Sequence, residues 1–211
     1  ISDTNVAPLY ANKLQKSLED AGLAVCQIII VAGEQSKNMQ VLSDVLEQLA
    51  ASGMTRSDVV LTLGGGVVGD LGGFAAASFM RGVAFVQIPT SLLAQIDSSV
   101  GGKVAVDLKA GKNLAGAFYQ PKAVFIDTEL LATLSTRFLH DGLAEAIKYG
   151  CIKDSKFAEK MGDYVLFKNL DGKYLTLKDC IEENKKEDAE AQTEEKKEDT
   201  AADENKDAQE K

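Results

Sequence analysis

Val59-Val60-Leu61-Thr62-Leu63-Gly64-Gly65-Gly66-Val67-Val68-Gly69-Asp70 decides how the rest of the chain is read. The first five residues are an apolar run of strand type. Three glycines follow, and small and apolar residues of helical type continue from Leu71 to Met80. Strand, glycine turn and helix in that order form a phosphate cradle. Glycines let the backbone approach a pyrophosphate, and a helix N-terminus offers unpaired N–H groups at the positive end of its dipole. Gly64, Gly66 and Gly69 also satisfy the G-x-G-x-x-G spacing. Alone that spacing is weak, because glycines equally serve tight turns and close helix–strand packing.

Working upstream, Leu42, Val45, Leu46 and Leu49 recur at helical spacing until Gly53, with Ser36 in the polar turn Ala32–Lys37 as the expected helix cap. Val25–Val31 is an unalternating apolar run, expected of a strand in a sheet covered on both faces. A helix is expected from Pro8 to about Ala21, ended by Gly22. Ile1-Ser2-Asp3 reads as the end of a strand and Asp3-Thr4-Asn5 as a turn, so the chain is expected to be truncated at its start. Downstream, Val83–Ile88 is another strand. The order β-α-β-α-β implies a Rossmann-like α/β fold with a parallel sheet.

From Pro89 to Gly116 the texture is loop-rich, with small polar clusters separated by short apolar pieces, and long loops of this kind are usually functional or disordered. The interleaved Leu92, Leu93, Ile96, Val104 and Val106 argue against disorder. Lys122–Ile126 gives a short strand. Helices are expected over Asp127–Leu134, Ser135–Tyr149 and Ser155–Phe167. Beyond Ile181 alanines are the remaining apolar residues, and a disordered acidic tail is expected.

The chain of 211 residues is 45% hydrophobic with a formal charge of -9, which excludes a typical nucleic-acid binder. That charge is mostly in the tail: the last 30 residues carry 13 acidic and 6 basic side chains, leaving -2 for the remainder. Cys26, Cys151 and Cys180 form no C-x-x-C pair and fit a reducing, cytoplasmic compartment. No apolar run has the length of a membrane span.

Three constellations carry candidate chemistry. The glycine turn follows at least the third strand of the fold, and no acid stands near Gln87–Thr90 for a ribose, so an ordinary Rossmann dehydrogenase fits poorly. Asp97–Lys103 with Lys112 and Asn113 gathers a carboxylate, two amines and an amide among glycines. These could neutralise phosphate or form a solvated loop, and composition favours neither. Asp141, Glu145 and Lys148 share one helical face, where a salt-bridged surface competes with a metal ligand or base at Glu145. His140 is the one histidine and reads as a surface residue, since zinc needs several clustered ligands.

With these residues in view, the sequence resembles 3-dehydroquinate synthase, of the sugar-phosphate cyclases. The resemblance is carried by Gly33–Lys37, Gly64–Asp70, Arg81-Gly82, Pro89–Lys103, Gly111–Pro121 and Gly142–Gly150, in the family's order, and it covers about residues 1–160. It implies conversion of 3-deoxy-D-arabino-heptulosonate 7-phosphate to 3-dehydroquinate and phosphate in the shikimate pathway. NAD serves as a transient hydride acceptor and a divalent metal, zinc or cobalt, polarises oxygens. It also implies a homodimer.

Carried over by resemblance, Asp3, Asn5, Glu34 and Lys37 line the cofactor. Gly65, Gly66 and Asp70 form the pyrophosphate loop, and Thr90, Ser91, Leu93, Thr133 and Leu134 make further cofactor contacts. Asp97, Lys103, Lys112 and Asn113 stand where substrate and nicotinamide meet. Arg81 resembles an arginine reaching a neighbouring subunit's substrate phosphate, Glu145 the carboxylate metal ligand, and Lys148 a substrate-binding lysine. The resemblance divides the chain into an NAD-binding α/β domain (1–134), an incomplete start of a helical metal and substrate domain (135–181) and the acidic tail (182–211).

Departures accompany the match. Val104 stands where threonine is common and Phe138 where a glutamate is usual. No string resembling the family's later G-H-T-x-G-H metal motif occurs. The chain is therefore expected to be inactive alone. The alternatives are a 2-epi-5-epi-valiolone or 2-deoxy-scyllo-inosose synthase, or a non-catalytic NAD-binding fragment. Asp107 followed by Gly111-Lys112-Asn113 fits dehydroquinate synthase better.

Overall fold

The computed structural model describes residues 1–153, 156–157, 160, 166–168 and 174–176. The chain divides into two compact units, Ile1–Ala146 and Ile147–Lys211.

The first unit is built on a five-stranded parallel sheet. Its strands are β1 (Ser2–Asp3), β2 (Ile29–Ile30), β3 (Val59–Gly64), β4 (Ala84–Pro89) and, after a long excursion, a short strand at Ala123–Val124, in the spatial order β2-β1-β3-β4-(Ala123–Val124). β3 and β4 form the longest ladder, in register from Val59 opposite Ala84 to Gly64 opposite Pro89. The expected parallel α/β architecture is present, with the glycine turn at the carboxyl end of the third strand.

Helix α1 (Ala7–Asp20) has proline in its first turn, as expected, and closes at Gly22, whose φ of +85° is the left-handed conformation a glycine adopts without strain. Helix α2 (Met39–Ala51) starts later than expected. The chain first makes a tight turn at Glu34–Ser36, so the extended capping position falls at Asn38, whose side chain accepts from the Val41 N–H at 3.0 Å. Ser36 is not the cap; it is buried and donates to the Val31 carbonyl at 2.6 Å.

Helix α3 (Gly66–Ser78) is apolar almost all round, which suits a helix covered on two sides. It lies on β3 and β4 so closely that a Cβ on Gly72 would sit 2.4 Å from Thr62. Its outer side is covered by the segment expected to be loop-rich. That expectation is corrected: after a π-turn at Ala94–Ser98, Lys103–Leu108 (β5) and Gly111–Phe118 (β6) form an antiparallel hairpin. The glycines that looked like loop formers fit the hairpin to its surroundings. Gly102 takes φ +66° against the Tyr119 backbone, and a Cβ on Gly116 would be 2.2 Å from the Val104 carbonyl. Val104 itself packs on Gly73, and Tyr119 stacks on Phe85 with ring centroids 5.7 Å apart. With Ala123–Val124 counted as β7, the core gathers Leu42, Val45 and Leu49 of α2, Val68, Leu71 and Ala75 of α3, Phe85 of β4, and Val104 and Val106 of β5.

Coverage of both sheet faces was too broad an expectation. Strand β2 is an edge strand, and along Val25–Val31 the burial alternates: Ile28 and Ile30 are buried while Ile29 and Val31 are exposed, Val31 by 63%. The segment expected to be helical over Asp127–Leu134 is a 3-10 helix at Thr128–Thr133. It leads to α4 (Thr136–Lys153), which carries the chain into the second unit.

In that unit Leu166–Lys168 (β8) pairs antiparallel with Tyr174–Thr176 (β9), so Leu166 and Phe167 belong to a strand and not to the expected helix. The Asp171-Gly172 pair between them is a hairpin signal in the sequence that the helical reading passed over. The rest of the helix expected over Ser155–Phe167 lies largely outside the described residues, as do Cys180 and the acidic tail. Among the described residues no helix is long and apolar enough to cross a membrane.

Candidate functional site

In a parallel sheet the carboxyl ends of the strands form the crevice where ligands bind. Here that edge carries Asp3 from β1, the glycine turn from β3, and Thr90 and Ser91 after β4. The turn is shaped by packing on one side and left open on the other. A Cβ on Gly64 would meet Val68 at 2.6 Å, and one on Gly69 the Gln87 amide nitrogen at 2.9 Å. Gly65 differs. Its φ is -75°, and a Cβ there would meet nothing nearer than the Ser91 hydroxyl at 3.5 Å. Neither backbone conformation nor internal packing requires glycine at 65. Gly65 is also the cap position of α3 and supplies no side-chain cap, so the leading N–H groups of α3 have no capping side chain, the kind of helix start that can receive an anion.

Beside the turn stands a polar cluster contributed by three separate elements. Lys37, from the turn before α2, donates to Asp70 Oδ2 at 2.5 Å and to Asn113 Oδ1 at 2.6 Å. Asp70 lies in the first turns of α3 and Asn113 on β6. Lys37 is only 6% exposed, so this member of the expected polar turn is one of the buried charges of the unit. Burial raises the Asp70 carboxyl above the usual aspartate range, and the Lys37 hydrogen bond and charge pull against that rise without cancelling it. Asn113 holds a positive φ of 57°, a conformation asparagine tolerates better than most residues.

Two further ion pairs flank the cluster. Lys112 Nζ lies 2.9 Å from Glu34 Oε1, tying the hairpin to the turn before α2, and Lys103 Nζ lies 3.2 Å from Asp97 Oδ1. Both are solvent-accessible, so each adds little to stability and remains open to exchange with an incoming anion. Glu34 and the neighbouring Asp107 raise the Lys112 pKa, the Glu34 hydrogen bond most of all.

The structure brings together Glu34, Lys37, Asp70, Lys112 and Asn113, and separately Asp97 and Lys103, from the expected set. Thr90 is buried, its N–H donating to the Gly64 carbonyl at 3.0 Å, while Ser91 borders the open side of Gly65 and Leu93 is exposed. Asp3 has a structural task, since its Oδ1 accepts from the N–H groups of Asn5 and Val6. Thr133 pairs its hydroxyl with Tyr10, and Leu134 ends the 3-10 helix. Arg81 is not near the turn: it is exposed, with φ 67°, beyond the far end of α3, about 20 Å away at 1.5 Å per residue.

Glu145 is half-buried on α4, and among the described residues no three His, Cys, Asp or Glu side chains are grouped to hold a metal. Lys148 belongs to the second unit, its ammonium 5.9 Å from the centroid of the Tyr149 ring. Asp107 was not among the expected site residues, yet it touches both Lys37 and Asn113. The signal that finds it is the hairpin itself, which places Asp107 across from Asn113.

A separate cavity of about 600 Å³ opens at the amino-terminal end of the strands, lined by Leu14, Leu18, Leu23, Met54 and Val59 among others. Its lining is mainly aliphatic and includes no residue of the polar cluster.

Comparisons with known proteins agree with this fold. The family model described as 3-dehydroquinate synthase N-terminal matches residues 27–141. The chain is 58% identical over 164 residues to the 3-dehydroquinate synthase of Clostridium acetobutylicum, a match covering 78% of this chain and 46% of the relative. The chain spans about half the length of the curated relatives it matches. Among solved structures, the 2-epi-5-epi-valiolone synthase of Streptomyces hygroscopicus with NAD+ and Zn2+ bound aligns with a TM-score of 0.70 at 35% identity, covering 74% of this chain and 43% of that one. A 2-deoxy-scyllo-inosose synthase complexed with carbaglucose-6-phosphate, NAD+ and Co2+ aligns with a TM-score of 0.66 at 33% identity, covering 70% and 41%. From the parallel sheet, the glycine turn on its third strand and the match over residues 27–141, the chain belongs to the 3-dehydroquinate synthase family.

Proposed function

We propose that this chain acts as the NAD-binding domain of a 3-dehydroquinate synthase, serving the conversion of 3-deoxy-D-arabino-heptulosonate 7-phosphate to 3-dehydroquinate and phosphate. The observation that carries the reading is the open side of Gly65. Glycine there is required by neither φ nor packing, and the space it leaves faces the uncapped start of α3. A dinucleotide pyrophosphate carries the charge that a helix start of this kind receives. When bound, NAD supplies a hydride acceptor that later returns the hydride.

The chain's own residues then have distinct tasks. Asp70 is the acid of the pyrophosphate loop, and Lys37 offsets the charge that this buried carboxylate would otherwise hold unpaired. Asp3 and Asn5 serve the adenosine end, together with Thr133 and Leu134. Lys103 and Lys112, each held by an accessible carboxylate, exchange that partner for the substrate's phosphate or carboxylate, and Asn113 binds a substrate hydroxyl. Arg81, exposed and remote from the turn, serves a second copy of the protein. Among the described residues no three His, Cys, Asp or Glu side chains are grouped, so these residues do not fit a divalent metal.

The identity of 58% to a dehydroquinate synthase, against 35% and 33% to the two other cyclases, favours this substrate over theirs. Calorimetric titration of NAD+ into the purified chain tests the reading. Saturable one-to-one binding, lost in Gly65→Leu and unchanged by added zinc, is expected. Absent binding, or equal binding by Gly65→Leu, removes the cradle from this role.

A further inference from the structure

We propose that Asp107 is a positioning residue that holds Lys37 and Asn113 in the geometry used to bind nucleotide. The proposal rests on the nucleotide-binding reading above and goes beyond it, because Asp107 touches the cluster without belonging to the glycine turn.

The hairpin ladder is irregular where Asp107 sits. Val106 pairs with Ala115 and Leu108 with Gly111, so Asp107 alone faces Lys112, Asn113 and Leu114. A bulge of this kind interrupts the strand's alternation and re-aims its side chains. It also costs a ladder hydrogen bond, and the Asp107 side chain replaces it: Oδ1 accepts the Asn113 N–H at 2.8 Å. That bond fixes the peptide of a non-glycine residue at φ 57°.

On its other side Asp107 forms a parallel bridge with Asn38, and its own N–H donates to the Lys37 carbonyl at 2.8 Å. Asp107 thus contacts both members of the Lys37–Asn113 hydrogen bond, closing a ring of three bonds. They run from the Asp107 amide to the Lys37 carbonyl, from Lys37 Nζ to Asn113 Oδ1, and from the Asn113 amide to Asp107 Oδ1. Since Lys37 also holds Asp70, the ring transmits the hairpin's position to the first turns of α3. A side-chain acceptor at the right reach is what this task needs; a negative charge is not.

That distinction makes the proposal testable with conservative variants. NAD+ affinity is measured by calorimetry for the wild-type chain, Asp107→Ala, Asp107→Asn and Asp107→Glu, each with its thermal unfolding curve. Asn keeps an acceptor oxygen at the same reach without the charge. Glu keeps the charge but moves the oxygens by one methylene. Expected is a loss of about tenfold or more for Ala and for Glu, with Asn within about threefold of wild type; tenfold corresponds to about 1.4 kcal/mol.

If Ala does not fold, the Asn and Glu pair decides alone. Retention by Glu with loss in Asn assigns Asp107 a charge role and overturns the proposal. Equal affinities throughout overturn it, as does equal loss in Asn and Glu. A wild-type chain that binds no NAD+ overturns the nucleotide reading itself, and the positioning role with it. A binding wild type with unaffected variants overturns the positioning role only.

Discussion

The glycine turn and the β5–β6 hairpin meet at Lys37, Asp70 and Asn113, but different forces hold them. The turn is fixed by close contact: Gly64, Gly69 and Gly72 admit neighbours at distances no Cβ would allow. The hairpin is placed at its tip by side-chain bonds, through Asp107, Asn113 and the Lys112–Glu34 pair. Contact of the first kind is insensitive to pH and salt and fails abruptly when volume is added. Contact of the second kind responds to single polar substitutions and to titration. A cluster assembled from both keeps its glycine turn rigid while its charged side chains can rearrange.

The largest expected effect comes from adding volume under the turn. Gly72→Val would drive a branched side chain into Thr62, whose methyl lies 2.4 Å from the Cβ position, in a fully buried layer. Overpacking of this severity costs about 3 kcal/mol or more. Urea unfolding should show it as a large drop in midpoint, or as a chain that does not fold. A midpoint near wild type would mean that α3 can lift from the sheet, and that the turn is not held by close contact.

Next comes the buried ion pair. Lys37→Met leaves the Asp70 carboxylate, with its side chain 14% exposed, without its cation, at an expected cost of about 2 kcal/mol. The double variant Lys37→Met/Asp70→Leu should recover most of that loss while leaving NAD+ unbound. If the double variant is as unstable as the sum of the two single changes, the pair is not the unit that holds Asp70 in place.

This pair also marks where sequence reading stopped. The parallel sheet was legible because apolar runs, turns and amphipathic stretches alternate in the order a βαβ sheet demands. The glycine turn was legible from its flanks. The hairpin at Lys103–Phe118 was not, because Gly101, Gly102, Gly111 and Gly116 read as breakers. For Gly102, Gly111 and Gly116 the reason lies in contacts with Tyr119, Gln120, Leu114 and Val104 that only the fold supplies, and for Gly101 in its φ of +89°.

Val25–Val31 looked like a central strand because composition does not tell an edge from a middle. Asn113 stood in one polar constellation and Lys37 entered by resemblance, since they lie 76 residues apart and nothing in their spacing joins them. Asp107 escaped because a bulge is invisible to strict alternation. Leu166 and Phe167 were read as helix when the short Asp171-Gly172 signal pointed to a hairpin.

Acid titration gives a smaller effect that separates the two regions. Burial raises Asp70, so the folded chain holds a proton there more tightly than the unfolded chain does. That contribution to stability is fully present below the unfolded value and is lost as pH rises through the raised folded value. Asp70→Asn removes it. On lowering the pH from 7 into the acid range, the variant should therefore lose stability faster than wild type, as read from urea midpoints at each pH. Parallel curves would mean that Lys37 offsets the burial in full. A shallower curve for the variant would reverse the sign of the shift.

The smallest effect on stability is expected at Gly65, and it sharpens the comparison most. Gly64 and Gly72 are glycines because the protein itself occupies the space beside them. Gly65 has φ -75° and only the Ser91 hydroxyl, at 3.5 Å, near its Cβ position. Alanine fits there without strain; its poorer capping and the stiffer unfolded chain it gives are each worth about 0.5–1 kcal/mol and oppose one another, so the net change is small. If the space over Gly65 belongs to a pyrophosphate, Gly65→Ala should leave the unfolding midpoint almost unmoved yet weaken NAD+ binding about tenfold, because the added methyl stands between the ligand and the α3 amides. An unmoved midpoint with unchanged affinity would place the nucleotide elsewhere on the strand ends. A lowered midpoint would make Gly65 a packing glycine like its neighbours, and the turn a device for joining strand to helix.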